Sequence, residues 1–77
     1  ILLEEFSHRN RIVGNSLRYG GDGFFIRANN RHSSNDNFIA RNDGSFSPNN
    51  AFEATFSDGN VFEGNQASFS NYGFWLG

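Results

Sequence analysis

Asn10-Arg-Ile-Val-Gly-Asn15, Asn37-Phe-Ile-Ala-Arg-Asn42 and Asn60-Val-Phe-Glu-Gly-Asn65 are three copies of one pattern, Asn-x-[Ile/Phe]-x-x-Asn. Their starts are 27 (37 − 10) and 23 (60 − 37) residues apart. A second pattern follows each copy: Gly23-Phe-Phe-Ile-Arg-Ala28, Ala51-Phe-Glu-Ala-Thr-Phe56 and Gly73-Phe-Trp-Leu-Gly77. Ile1-Leu-Leu-Glu-Glu-Phe6 reads as the tail of the same segment from a preceding repeat, with one extra residue. Ser7 and Ser57 each stand three residues before a repeat asparagine.

Each repeat thus supplies two short segments alternating with period 2, separated by Asn, Gly and Ser, which is strand and turn chemistry. Ile12, Ile39 and Phe62 are expected to point inward from one sheet. Phe24 with Ile26, Phe52 with Ala54, and Phe74 with Leu76 are expected to point inward from another. No stretch sustains a 3.6-residue apolar pattern, so no helix is expected. A period near 23 residues with two or three short strands is one turn of a solenoid. Coils would stack about 4.8 Å apart as parallel strands, placing equivalent residues directly above each other. Asparagine at one turn position in every coil can hydrogen-bond to its copies and tolerates left-handed backbone. That assigns Asn10, Asn37, Asn60 and Asn15, Asn42, Asn65 to structural ladders. The expected fold is all-β: a right-handed parallel β-helix of about three coils of 23–27 residues, with residues 1–77 forming a single segment.

Composition supports this. The 77 residues include 9 Gly, 10 Phe and 12 Asn, suited to turns and pleated surfaces. A chain this short buries little surface and commonly needs disulfide or metal staples. With no Cys there is neither disulfide nor thiolate site, and His8 and His32 are too few for a histidine metal cluster; no cofactor is expected. All six basic residues are arginine, the net charge is −2 and no basic stripe exists, which argues against nucleic acid as partner. No apolar run reaches the roughly 18 residues of a membrane span. Asp22 and Asp43 precede glycines and read as turn residues, and no EF-hand or phosphate loop is present.

The Asn-x-Ile-x-x-Asn motif, with phrases such as FEATFSDGNVFEGN and NYGFWLG, resembles the parallel β-helix repeat family, across nearly the whole chain. This is the β-helix region of NosD-type periplasmic proteins and of pectate-lyase-like lyases, epimerases and hydrolases. The resemblance implies an exported protein, extracellular or periplasmic, and a polysaccharide partner. It does not transfer a reaction, because the repeats are structural and one scaffold hosts many chemistries. The Asp-Asp and Asp-Pro-His arrangements of the enzyme branches are missing from the chain. NosD-type copper handling is implied only by the resemblance, and a chain without Cys or Met offers no soft donors for it.

In a solenoid, function sits on outward side chains and on loops between strands. Alignment gives an outward row Phe25, Glu53, Trp75 and a second row Arg27, Thr55, Gly77. Aromatic rings beside a carboxylate and an arginine suit a sugar: the ring covers the CH face while charged groups bond hydroxyls or carboxylates. Alternatively, Phe25 and Trp75 pack on flanking loops or a neighbouring chain, and Arg27 pairs with Glu53. The longer repeat carries an insertion over residues 28–36 that walls the same groove in this reading, with His32 as its one histidine and a candidate base. The expected ligand-binding set is Phe25, Arg27, His32, Glu53 and Trp75. Glu53 lacks a second outward carboxylate, so no catalytic pair is assigned.

Two functional expectations follow. One is a carbohydrate-active β-helix that binds or processes an acidic or neutral polysaccharide. The other is a non-catalytic adhesin-like or accessory module whose aromatic row is a protein interface. The start at Ile1 and the uncapped final segment point to a piece of a longer solenoid, with flanking coils of the same parent chain as partners.

Overall fold

In the computed structural model, which describes residues 1–28 and 32–76, the chain is a parallel β-solenoid of about three coils. The strands are β1 (Leu2–Glu4), β2 (Arg11–Val13), β3 (Phe24–Arg27), β4 (Phe38–Ala40), β5 (Asn50–Ala54), β6 (Val61–Glu63) and β7 (Tyr72–Leu76). They alternate between two parallel sheets, β1-β3-β5-β7 and β2-β4-β6. Single bridges Ser16–Asp43 and Asp43–Gln66 mark a third side of each coil. No helix forms among the described residues.

The register is the one the repeats imply. Ile12, Ile39 and Phe62 align, as do Phe24, Phe52 and Phe74. Phe24, Ile26, Ile39, Ala51 and Phe52 are fully buried, with Leu3, Ile12, Leu17 and Phe62 packed around them. Burying each large side chain contributes about 2 kcal/mol. Phe52 stacks on Phe74 at 5.1 Å and meets Phe62 edge-on. The inward row thins at β7, where Phe74 and Leu76 remain 47% and 65% exposed because β7 is the edge strand of its sheet among the described residues.

Both asparagine ladders form. The Asn10 backbone N–H and Nδ2 donate to Asn37 Oδ1 at 2.8 and 3.0 Å, and Asn37 repeats this to Asn60. Asn15, Asn42 and Asn65 do the same. The second Nδ2 hydrogen of Asn37 and Asn42, and one Nδ2 hydrogen of Asn60 and Asn65, reaches a backbone carbonyl of the previous coil. Ser34 extends the Ser7/Ser57 position into a third ladder: Ser7 N–H donates to Ser34 Oγ and Ser34 N–H to Ser57 Oγ.

The left-handed backbone belongs not to the ladder asparagines but to the residue before each. Arg9, Asp36 and Gly59 form one positive-φ column, and Gly14, Arg41 and Gly64 a second. The left-handed residue turns the chain so that the next asparagine points inward along the stack. A third column follows five residues later in each coil: Tyr19, Phe46 and Phe69.

Candidate functional site

The outward row Phe25, Glu53, Trp75 is present, in register and preceded by Leu2. Phe25 and Glu53 are half-buried and Trp75 is exposed. In the second row Gly77 lies outside the described residues. Thr55 Oγ1 accepts from Ala28 N–H and can donate to the Ile26 or Ala28 carbonyl, both in the coil before, so it serves the backbone.

Arg27 does not pair with Glu53. Leu2 to Glu4 align with Phe25 to Arg27, so Glu4 stands beside Arg27 and receives its Nη2 at 2.7 Å. That hydrogen bond, and then the Glu4 charge, raise the Arg27 pKa. The extra residue near Glu4 falls after the paired segment and leaves its register intact. Glu53 Oε2 instead accepts from Asn50 Nδ2 at 3.3 Å.

His32 lies elsewhere. Its ring packs against Phe6 at 5.2 Å and its Nδ1 is 3.6 Å from Glu5 Oε1, beyond the C-terminal end of β1. His8 Nδ1 accepts the Asn35 N–H at 2.8 Å, a backbone-holding role. Asn29, Asn30 and Arg31 of the inserted segment lie outside the described residues. Among the described residues no group of three or more His, Asp or Glu converges.

A cleft of about 230 Å³ is built around Glu53 and Trp75 by side chains the sequence reading left aside. It is lined by the carboxylates of Asp22 and Glu53, the amides Asn49, Asn50 and Asn71, and the rings Tyr72 and Trp75. The rings meet edge to face at 6.0 Å. Asp22 is more than a turn residue: its Oδ1 accepts the Asn50 N–H of the next coil at 3.1 Å. Asn50 therefore joins both carboxylates, through its backbone to Asp22 and through its side chain to Glu53. It is 7% exposed, and its Oδ1 is buried without a hydrogen-bond partner. Such a group costs about 1–3 kcal/mol. Asp43, by contrast, is the turn residue expected: its Oδ1 accepts Ser45 N–H at 3.0 Å. Hydrogen bonding from Ser45 holds its carboxyl below the usual range, and Arg18 adds a weaker pull.

The third positive-φ column forms a ring stack on the outer surface. Tyr19–Phe46 and Phe46–Phe69 stack at 5.1 and 5.2 Å, nearly parallel, with the Arg18 guanidinium over Tyr19 and Phe46. The available signal was an aromatic four residues after Asn15, Asn42 and Asn65. Because its internal faces cover one another, this stack offers a sugar only edges and end faces.

No protein-family model matches the chain, and neither does any curated protein or solved structure.

Proposed function

We propose that the chain is a carbohydrate-binding stretch of an exported β-solenoid, which takes a sugar polymer into the cleft between Asp22, Glu53, Tyr72 and Trp75. The observation that carries this is one cleft combining two carboxylates, three amides and two aromatic rings. Sugars present the same division, apolar CH faces and a rim of hydroxyls, and such sites combine rings with a few polar groups. The rings sit on β7 and the carboxylates on β5 and the turn before β3. Both carboxylates are already held by Asn50, a binding rather than a catalytic arrangement. The parallel β-helix repeat resemblance points to the same partner class.

The test is titration of the chain with a polysaccharide panel, followed by Glu53→Ala and Trp75→Ala. Binding to a sugar polymer, weakened at least about tenfold by either change, is expected; tenfold corresponds to about 1.4 kcal/mol. Unchanged affinity in both variants rejects the cleft.

The alternative, an assembly module, draws on the apolar hollow of about 420 Å³ formed by Tyr72, Phe74, Trp75 and Leu76 at the free edge of β7. Flanking coils of the parent chain are the partner proposed for that edge. In this reading Trp75 is lost to solvent upon association, which sedimentation with tryptophan fluorescence would detect.

A further inference from the structure

We infer that the cleft selects sugar polymers bearing free amino groups, such as a de-N-acetylated amino sugar chain, over neutral and uronate polymers; this rests on the carbohydrate reading above. Charge favours a cationic ligand. Asp22 and Glu53 both line the cleft, and no arginine or histidine among the described residues does. Arg27, on β3 of the same sheet, is held by Glu4 at 2.7 Å. A uronate carboxylate would enter against two like charges with no cation to meet it, and like charges at close quarters are strongly disfavoured.

Hydrogen-bonding capacity at the two carboxylates points the same way. Asp22 uses Oδ1 and Glu53 uses Oε2 to hold Asn50. Among the described residues nothing donates to Asp22 Oδ2 or Glu53 Oε1, which leaves one carboxylate oxygen of each for a ligand. The charged groups of the lining are therefore two carboxylates, each with an oxygen open to a donor. An ammonium group brings three N–H donors and a positive charge, and charge-assisted bonds to carboxylates are the stronger class. A hydroxyl or an acetamido N–H brings one donor and no charge. Tyr72 and Trp75, edge to face at 6.0 Å, add the ring faces that attract a cation and cover the sugar's CH surface.

The experiment is calorimetric titration of the chain with three oligosaccharides of equal length: glucosamine, N-acetylglucosamine and galacturonate oligomers. The glucosamine oligomer is expected to bind about tenfold tighter than its acetylated counterpart, with weakening as salt is raised. Glu53→Gln keeps an acceptor for Asn50 Nδ2 and should collapse that preference while leaving the far-ultraviolet spectrum unchanged. Asp58→Asn, four residues beyond the C-terminal end of β5 and outside the cleft lining, removes the same net charge and should leave the preference intact. Equal affinity for the two glucosamine oligomers, or tighter binding of galacturonate, overturns the amino-group inference alone. Loss of preference in Asp58→Asn equal to that in Glu53→Gln also overturns it, since only net charge would then be at work. Absence of binding to all three oligomers and to the polysaccharide panel overturns the carbohydrate reading as well.

Discussion

Asn42 shows how one residue type holds a coil in place. Its Oδ1 accepts two donors from Asn15, its backbone N–H and Nδ2 donate to Asn65 Oδ1, and the remaining Nδ2 hydrogen reaches Ile12 O at 2.9 Å. Every polar atom of the side chain is used, and the residue is 1% exposed. No other side chain has the same reach together with both acceptor and donor: aspartate lacks the donors, and serine spans less. Asn42→Ala would strand the Asn15 N–H and the Ile12 carbonyl and take two donors' acceptor away, a loss of roughly 3 kcal/mol. Asn15 sits at the exposed end of the same ladder. Asn15→Ala keeps its backbone bond to Asn42 and should cost below about 1 kcal/mol. Urea unfolding of the two variants checks the ratio; equal losses would mean that the ladder's strength does not depend on burial. These six asparagines were legible in the sequence because each recurs at one offset, and their identity alone dictates the bond. Asp22 was not legible. Its partner is the backbone N–H of Asn50 in the next coil, and an aspartate before a glycine looks the same whether its acceptor serves its own turn or another coil.

At the scale of strands and turns, three positive-φ columns five residues apart bend each coil, and the third is built from Tyr19, Phe46 and Phe69 with φ of 65°, 61° and 55°. Bulky residues in this region are strained by about 1–2 kcal/mol each, which is why glycine takes part of the other columns. Here the ring stack offsets the strain, with aromatic pairs worth about 0.5–1.5 kcal/mol beyond their burial. The two contributions separate by mutation. Phe46→Ala removes both stacking contacts and keeps the strain, whereas Phe46→Gly removes the contacts and the strain together. The glycine variant should therefore be the more stable of the two by about 1 kcal/mol, after allowing for its larger unfolded-state entropy. Thermal unfolding would show it; an alanine variant equal to or above the glycine variant would mean that the turn is unstrained. The strands were the readable part of the sequence, since alternation and equal offsets aligned Phe24, Phe52 and Phe74. The Arg27–Glu4 pair was not, because the extra residue in 1–6 left the facing of Glu4 open until the register was known. Nor was the position of His32, which lies in the longest coil, where the offset is 28 residues (Phe24 to Phe52) against 22 (Phe52 to Phe74). Each added residue re-aims the outward side chains beyond the strand ends while the inward row stays aligned.

Across the whole molecule, contacts run between neighbouring coils, so stability is expected to be distributed along the stack rather than pooled in one centre. The middle coil has neighbours on both sides: Asn37, Ile39, Ala40, Asn42 and Ser47 are all buried, while their counterparts in the coils before and after are half-buried or exposed. The inward residues of β7 are still open to solvent. Local opening free energies should follow this gradient, because an end coil can detach by breaking one inter-coil interface and a middle coil must break two. Native-state amide exchange should accordingly give the highest protection to β4 and β5, intermediate protection to β3, and the lowest to the edge strands β1, β2, β6 and β7. The same gradient bears on the cleft, whose carboxylates lie on β5 and the turn before β3 but whose rings lie on β7. A ligand bridging them would tie the last coil to the middle one, and should raise protection of the β7 amides more than those of β2, which it does not touch. Uniform protection along the chain would show instead that the stack opens only as a unit, and in that case a ligand could not strengthen one end in preference to the other.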